Sequence, residues 1–280
     1  MEMHYVNLYE HYSLEAPAGA VGRLRCIHCP TPREYSTNRR RPAVLVIPGG
    51  GYGSNSTRED LAIALRFLAH GYVPFMLNYA IAPQKFPTQL REAAMAMRYI
   101  RENAAEYEVD PTMVAAIGFS AGGHLCGMLG MMYDCPEVGD IAPAAVLRPD
   151  ALALCYPVTL GWGPTHEGTM HTISGGDAAL RQRLSLDTQV RSDMPPVFLW
   201  HTRDDKTVPC RNSIILAQKL DEAGVDFTFH LYRHGCHGLS TGDVMTYRSY
   251  AVPSSSADAP GWLDSCVQFW SDVGFRITDE

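Results

Sequence analysis

The feature that most constrains this chain is a repeating alternation of continuous apolar runs and amphipathic stretches. The runs "AVLVI" (43–47), "VPFML" (73–77), "VAAIGF" (114–119), "ALALC" (151–155), "VFLWH" (197–201) and "FTFHLY" (227–232) read as strands. Between the first two, Leu61, Ala64, Leu65 and Leu68 recur at helical spacing, with Thr57 expected as N-cap, Asp60 three residues on and Gly71 at the exit. Leu90, Ala93, Ala94, Met97 and Ile100 line one face of a helix expected over 88–106, and further helices are expected over 121–132 and 211–223. A last helix passes through Trp262, Leu263, Cys266, Phe269 and Trp270. Strands that are apolar throughout need cover on both faces, and the intervening helices supply it. The pattern therefore predicts an α/β chain, a mostly parallel central sheet of about eight strands with helices on both faces. No repeat or linker divides it, so residues 1–280 read as one domain.

Two stretches break the rhythm. Residues 156–192 carry Trp162, His166 and His171 among Gly and Pro, and are the candidate lid insertion; residues 240–260 include "AVPSSSADAP". "NRRRP" (38–42) reads as a solvated hairpin turn.

Composition narrows the partners. Of 280 residues, 46% are hydrophobic and 19% charged, and the net charge of −7 argues against nucleic acid or an anionic membrane surface. No apolar run approaches the ~18 residues of a membrane span. "MEMHYVNLYEHYSLE" has neither a basic start nor an apolar core, so a cytoplasmic location is expected. The 8 cysteines are scattered and are expected as reduced thiols. Cys26 and Cys29 have C-x-x-C spacing, but no second ligand pair exists for a structural zinc, and the pair ends a strand rather than opening a helix. Neither metal nor cofactor is expected.

The chemistry concentrates at "GFSAGG" (118–123), where a strand runs into Ser120 and then a helix. A sharp strand-to-helix turn forces a strained serine backbone, and side chains two residues either way would collide; Gly118 and Gly122 remove the collision. The serine needs a base, and the base an orienting acid. "LWHTRDDKTVP" supplies Asp204 and Asp205 after one strand, and "LYRHGCHG" supplies His234 and His237 after the next. Val208–Pro209 locks the loop behind Asp205, which favours it over Asp204. His237, deeper in its loop beside Cys236 and Gly238, is favoured over His234. The loop "IPGGGYG" (47–53) would direct backbone N–H groups into the site, with Gly50 and Gly51, or positions one residue away, completing an oxyanion hole with the amide of Ala121. It lacks the endings of a phosphate loop.

With "PGGGYG", "GFSAGGHL", "PPVFLWHTRDDKTVP" and "HGCHG" in place over residues 48–238, the sequence resembles the α/β-hydrolase superfamily. More narrowly it is similar to the small acetyl-xylan and feruloyl esterases near the hormone-sensitive-lipase-like group. Pro48 stands where lipase-type members carry the histidine of H-G-G-G. The resemblance implies catalytic Ser120, Asp205 and His237, no metal, and short acyl groups on sugars or oligosaccharides as the substrate class. Tyr52, Trp162 and His166 are the candidate substrate contacts, although aromatic and histidine residues in loops serve packing as often as binding. Two rivals remain at this level. One is a serine aminopeptidase of the prolyl-oligopeptidase type, for which the stretch before residue 43 is too short to hold a propeller. The other is a catalytically silent hydrolase-fold binding protein. A homodimer through an edge strand or the last helix is a further expectation.

Overall fold

Alternate residues of a strand face opposite sides, so an apolar run becomes a sheet strand whose two faces feed two separate cores. That arrangement holds in the computed structural model, which describes residues 1–32, 34–35, 38–243, 245–246, 259 and 261–279. In chain order the elements are β1 (Glu2–Asn7), α1 (Leu8–His11), β2 (Arg23–His28), β3 (Arg39–Ile47), a 3-10 turn (Thr57–Glu59), α2 (Leu61–Ala69), β4 (Val73–Asn78) and α3 (Thr88–Glu102). There follow β5 (Val109–Phe119), α4 (Ala121–Met131), α5 (Ala144–Leu147), β6 (Ala151–Cys155), α6 (Glu167–Ser174) and α7 (Ala178–Arg183). A second 3-10 turn (Leu186–Thr188) leads to β7 (Val197–Thr202), α8 (Arg211–Glu222), β8 (Phe227–Tyr232), α9 (Trp262–Asp272) and β9 (Thr278–Asp279).

The sheet runs β1-β2-β4-β3-β5-β6-β7-β8, with the short β9 pairing β3. From β4 to β8 every neighbouring pair is parallel, whereas β1 pairs β2, and β2 pairs β4, antiparallel. On β3, Ala43, Leu45 and Ile47 join a core that includes Leu90, Leu125 and Leu216, under α3, α4 and α8. Val44 and Val46 join the opposite core with Phe67, Trp262 and Trp270, under α2 and α9. Because β3, β5, β7 and β8 are parallel, the loops leaving them emerge at one edge of the sheet.

Several local expectations need correction. Thr57 does not cap a helix: residues 57–59 form the 3-10 turn, and α2 begins at Leu61 with no side-chain cap. The reason is a split in direction, with the Glu59 carboxylate reaching Gly49 while Asp60 pairs with Arg25. "NRRRP" is not a turn, since β3 starts at Arg39 and Arg41 is buried against Glu108. Residues 156–192 are not irregular throughout. His166 and Asp177 cap α6 and α7, accepting the amides of Thr169 and Leu180, and Gly175 ends α6 in the left-handed conformation. The loop expectation for "AVPSSSADAP" falls at 251–258 and 260, outside the described residues. Among the described residues no helix is long and apolar enough to cross a membrane, and no group of three or more His, Cys, Asp or Glu is placed to hold a metal. Cys26 lies buried in β2, Cys29 lies just after it, and both are free thiols.

Candidate active site

The turn from β5 into α4 sets Ser120 at φ 53°, ψ −116°, a conformation that only close packing sustains. A Cβ on Gly118 would sit 2.2 Å from the Gly122 carbonyl oxygen, and one on Gly122 would sit 2.3 Å from those of Ile47 and Pro48. The turn around Ser120 therefore presses directly on the end of β3. The Ser120 amide is fixed by the Cys155 carbonyl at 3.0 Å, and the Ser120 carbonyl accepts the amides of His124 and Val158.

His237 stands on the loop after β8 with Nε2 2.8 Å from Ser120 Oγ and Nδ1 2.6 Å from Asp205 Oδ2. Asp205, on the loop after β7, is 6% exposed. Its Oδ1 accepts the amides of Thr207 at 2.8 Å and Val208 at 3.0 Å, which hold the carboxylate from the segment that follows it. Burial pushes the Asp205 carboxyl up, but hydrogen bonds from His201 and His237 outweigh this and hold it well below the usual carboxylate range. An ionised Asp205 accepts from the Nδ1–H of His237. Nε2 is then the acceptor for the Ser120 hydroxyl, the tautomer that general-base chemistry needs. Asp204 and His234 form a separate, half-exposed pair at 3.2 Å, and Asp204 also accepts the Gly235 amide at 2.7 Å.

The glycine loop after β3 closes the other side. Gly49 is committed, donating its amide to Glu59 Oε2 at 2.9 Å. The amides of Gly50 and Gly51 have no acceptor among the described residues, and that of Ala121 opens α4 ahead of its first intrahelical bond. Together with Ser120, His237 and His166, this loop lines a cavity of about 590 Å³. The remaining wall is polar, from Ser54 to Glu59 with Thr169 and Thr207, and contains no aliphatic or aromatic side chain.

The candidate substrate contacts divide. His166 lines the cavity, and its Nδ1 accepts from the Thr169 hydroxyl at 2.7 Å and the Thr169 amide at 3.2 Å. Burial and the nearby His237 lower its pKa, so His166 is neutral with its proton on Nε2. Tyr52 requires correction. The positive φ of 59° turns its ring inward to full burial, where it packs edge-on to Tyr79 and bonds His124 Nδ1 at 2.9 Å. Trp162 is 42% exposed, bonds Asp187 through Nε1, and is not among the cavity's lining residues.

Two buried polar neighbours of Ser120, Asp205 and His237 carry no sequence motif. His201, fully buried, donates from Nε2 to the Val208 carbonyl at 2.9 Å and lies 3.4 Å from Asp205 Oδ2. Its position four residues before Asp205 was the one available signal. Glu59, 2% exposed, had no sequence signal, because its partners come from loops remote in sequence.

The chain matches the BD-FAE family model over residues 30–143 and the prolyl oligopeptidase family model over residues 90–253. It is 34% identical over 219 residues to endo-1,4-beta-xylanase B of Butyrivibrio fibrisolvens, covering 74% of this chain and 34% of that protein. It is 27% identical over 251 residues to an acetylxylan esterase of Xylanibacter ruminicola, covering 85% and 49%. The chain thus spans between a third and a half of these two curated relatives. The crystal structure of an acetyl ester-xyloside bifunctional hydrolase from Caldicellulosiruptor lactoaceticus superposes with a TM-score of 0.82 at 31% identity, covering 97% of each chain. The chain belongs to the prolyl oligopeptidase family within the α/β-hydrolase superfamily, and its residues 30–143 are similar to the BD-FAE family.

Proposed function

We propose that this chain is a serine carboxylic-ester hydrolase that removes short acyl groups, acetyl foremost, from sugars or oligosaccharides. The observation that carries the reading is the unbroken chain Asp205–His237–Ser120 facing a glycine loop with uncommitted amides. Ser120 Oγ attacks the ester carbonyl carbon as its proton passes to His237 Nε2. The carbonyl oxygen, now negative, takes the amides of Gly50, Gly51 and Ala121. The ester C–O bond then breaks, and the alcohol leaves with the proton from His237. Water repeats the path, with His237 again as base, and releases the acid.

The polar wall supports the short acyl group. A long alkyl chain would gain roughly 0.8 kcal/mol per methylene only against apolar surface, and no Val, Leu, Ile, Met or Phe side chain lines this cavity to supply a continuous patch of it. The side chains of Ser54, Asn55, Ser56 and Thr57 along the wall suit a hydroxyl-rich alcohol portion, and His166 Nε2–H supplies a donor. The names of the xylan-active relatives point the same way.

The test is hydrolysis of p-nitrophenyl esters from acetyl to octanoyl, with Ser120→Ala as the paired control. Acetyl turnover that falls steeply with chain length and vanishes in the variant is expected. Turnover surviving Ser120→Ala refutes the assignment. The prolyl oligopeptidase match over 90–253 favours one second reading, an aminopeptidase on the same residues. Faster turnover of peptide anilides than of acetyl esters would establish it.

A further inference from the structure

Glu59 is a buried carboxylate beside the reaction centre that the acyl-transfer steps do not use. Among the described residues no cation lies within ion-pair distance of it. A negative charge behind an oxyanion site opposes the charge that the site must hold, so an isolated carboxylate there is costly unless it does something else. Its contacts show what that is. Oε2 accepts the Gly49 amide at 2.9 Å, which fixes the first residue of the glycine loop and commits that amide away from the cavity. Oε1 accepts the Tyr156 hydroxyl at 2.7 Å.

Tyr156 passes the constraint onward. Its hydroxyl oxygen accepts the Ser240 amide at 2.9 Å, three residues after His237, and its ring meets the His237 imidazole edge-on at 5.1 Å between centroids. Its own backbone sits at φ 37°, an uncommon conformation for a bulky residue. Ser240 is held again from the same turn, its Oγ donating to the Arg58 carbonyl at 2.5 Å, while its carbonyl accepts Trp262 Nε1 at 2.8 Å.

From this geometry we propose that Glu59 is a positioning residue whose two carboxylate oxygens lock the oxyanion loop and, through Tyr156, the histidine loop into one register around Ser120. The proposal rests on the serine-hydrolase reading above. It places catalytic competence in the link between the two loops. A carboxylate suits that link because it offers acceptors to donors on both sides, whereas an amide offers one acceptor and one donor. In Glu59→Gln the oxygen keeps one arm, and the NH2 group meets a tyrosine oxygen already occupied by the Ser240 amide. Tyr156→Phe breaks the same link from the other end.

The experiment measures kcat and KM for p-nitrophenyl acetate in Glu59→Gln, Tyr156→Phe and the double variant, with Ser120→Ala as control. A serine-directed phosphonate reports the labelling rate of Ser120 independently. Each single variant is expected to lower kcat about 10–100-fold, the scale of a displacement near 1 Å at a reacting centre. KM should stay within about threefold, because the substrate contacts remain. Labelling should slow in step with kcat, and the double variant should fall little further than the worse single one. Folded single variants with kcat within about twofold of wild type, or losses that multiply in the double variant, would overturn the proposal. If Glu59→Gln does not fold, Tyr156→Phe decides alone, by a fall in kcat or its absence. Failure of the esterase reading is distinct, because it appears as activity in Ser120→Ala.

Discussion

Asp204 and Asp205 are adjacent acids with opposite surroundings, and the difference between them is measurable. Asp205→Asn keeps an acceptor for the Thr207 and Val208 amides but turns an NH2 group toward His237 Nδ1. The imidazole must then carry its proton on Nε2, facing a hydroxyl that needs an acceptor there. We expect kcat to fall by roughly 10³–10⁴-fold with little loss of fold. Asp204→Asn disturbs only an exposed pair and one replaceable acceptor for Gly235, so kcat should stay within about threefold. Steady-state kinetics on the two variants decide it, and equal losses would remove Asp205 from its place. That Ser120, Asp205 and His237 come within hydrogen-bond distance of one another was legible because each follows a recognisable strand and each loop has a local reason to hold it. Glu59 and His201 were not, since a buried polar group is identified by its partners, and those meet only when β3, β6, β7 and β8 are assembled. Tyr52 misled for a related reason: its aromatic character is visible in sequence, but the positive φ that turns it inward is not.

At the scale of elements, the crossing of α4 over the end of β3 is the contact that builds the site. Gly122→Ala would drive a methyl toward two backbone carbonyl oxygens, those of Ile47 and Pro48, which cannot rotate away. A cost at the upper end of the overpacking range, about 3 kcal/mol, is expected, together with lost activity as the glycine loop shifts. Gly127→Ala, further along α4, meets first the end of the Leu186 side chain, and a side chain can move. Denaturant unfolding of the pair should show Gly122→Ala far the less stable, and equal midpoints would contradict the backbone clash. The same distinction explains what could be read of the fold. β3 to β7 with α2, α3, α4, α8 and α9 follow from apolar periodicity, because each buries a continuous face, and β8 follows from the same signal although Phe227, Phe229 and Tyr232 are only half-buried against the two cores. β1 does not, since its residues are exposed or half-buried and pairing with β2 alone makes it a strand. The 3-10 turn at 57–59 was likewise hidden, because the pull of Glu59 and Asp60 toward different partners sets it.

Across the whole molecule, one carboxylate ties the antiparallel edge of the sheet to the parallel body. Glu92 on α3 accepts the Tyr9 hydroxyl and the Gly22 amide through Oε1, and the Ala80 amide through Oε2. It thereby joins the segment between β1 and β2 to the chain leaving β4. Burial raises its pKa to about 7, even though those hydrogen bonds favour the charged form. A carboxyl whose folded pKa lies above its unfolded value near 4.5 binds its proton more tightly in the native state. Its contribution to stability is therefore fully present below about pH 4.5 and lost as the pH rises through about 7. His124 works in the opposite sense. Full burial lowers its pKa to about 4, with Nδ1 accepting from Tyr52 and Nε2–H donating to the Leu184 carbonyl, so its contribution is lost as the pH falls from about 6.5 toward 4. Because the two slopes oppose each other, the wild-type profile alone does not isolate either group, and the difference from a variant does. The stability of wild type minus that of Glu92→Gln should decline between pH 4.5 and 7 by an amount on the order of 3 kcal/mol. Chemical denaturation of both proteins across that range measures it. A difference that stays flat, or that grows with pH, would mean that Glu92 is ionised throughout and that its hydrogen bonds, rather than its burial, set its charge.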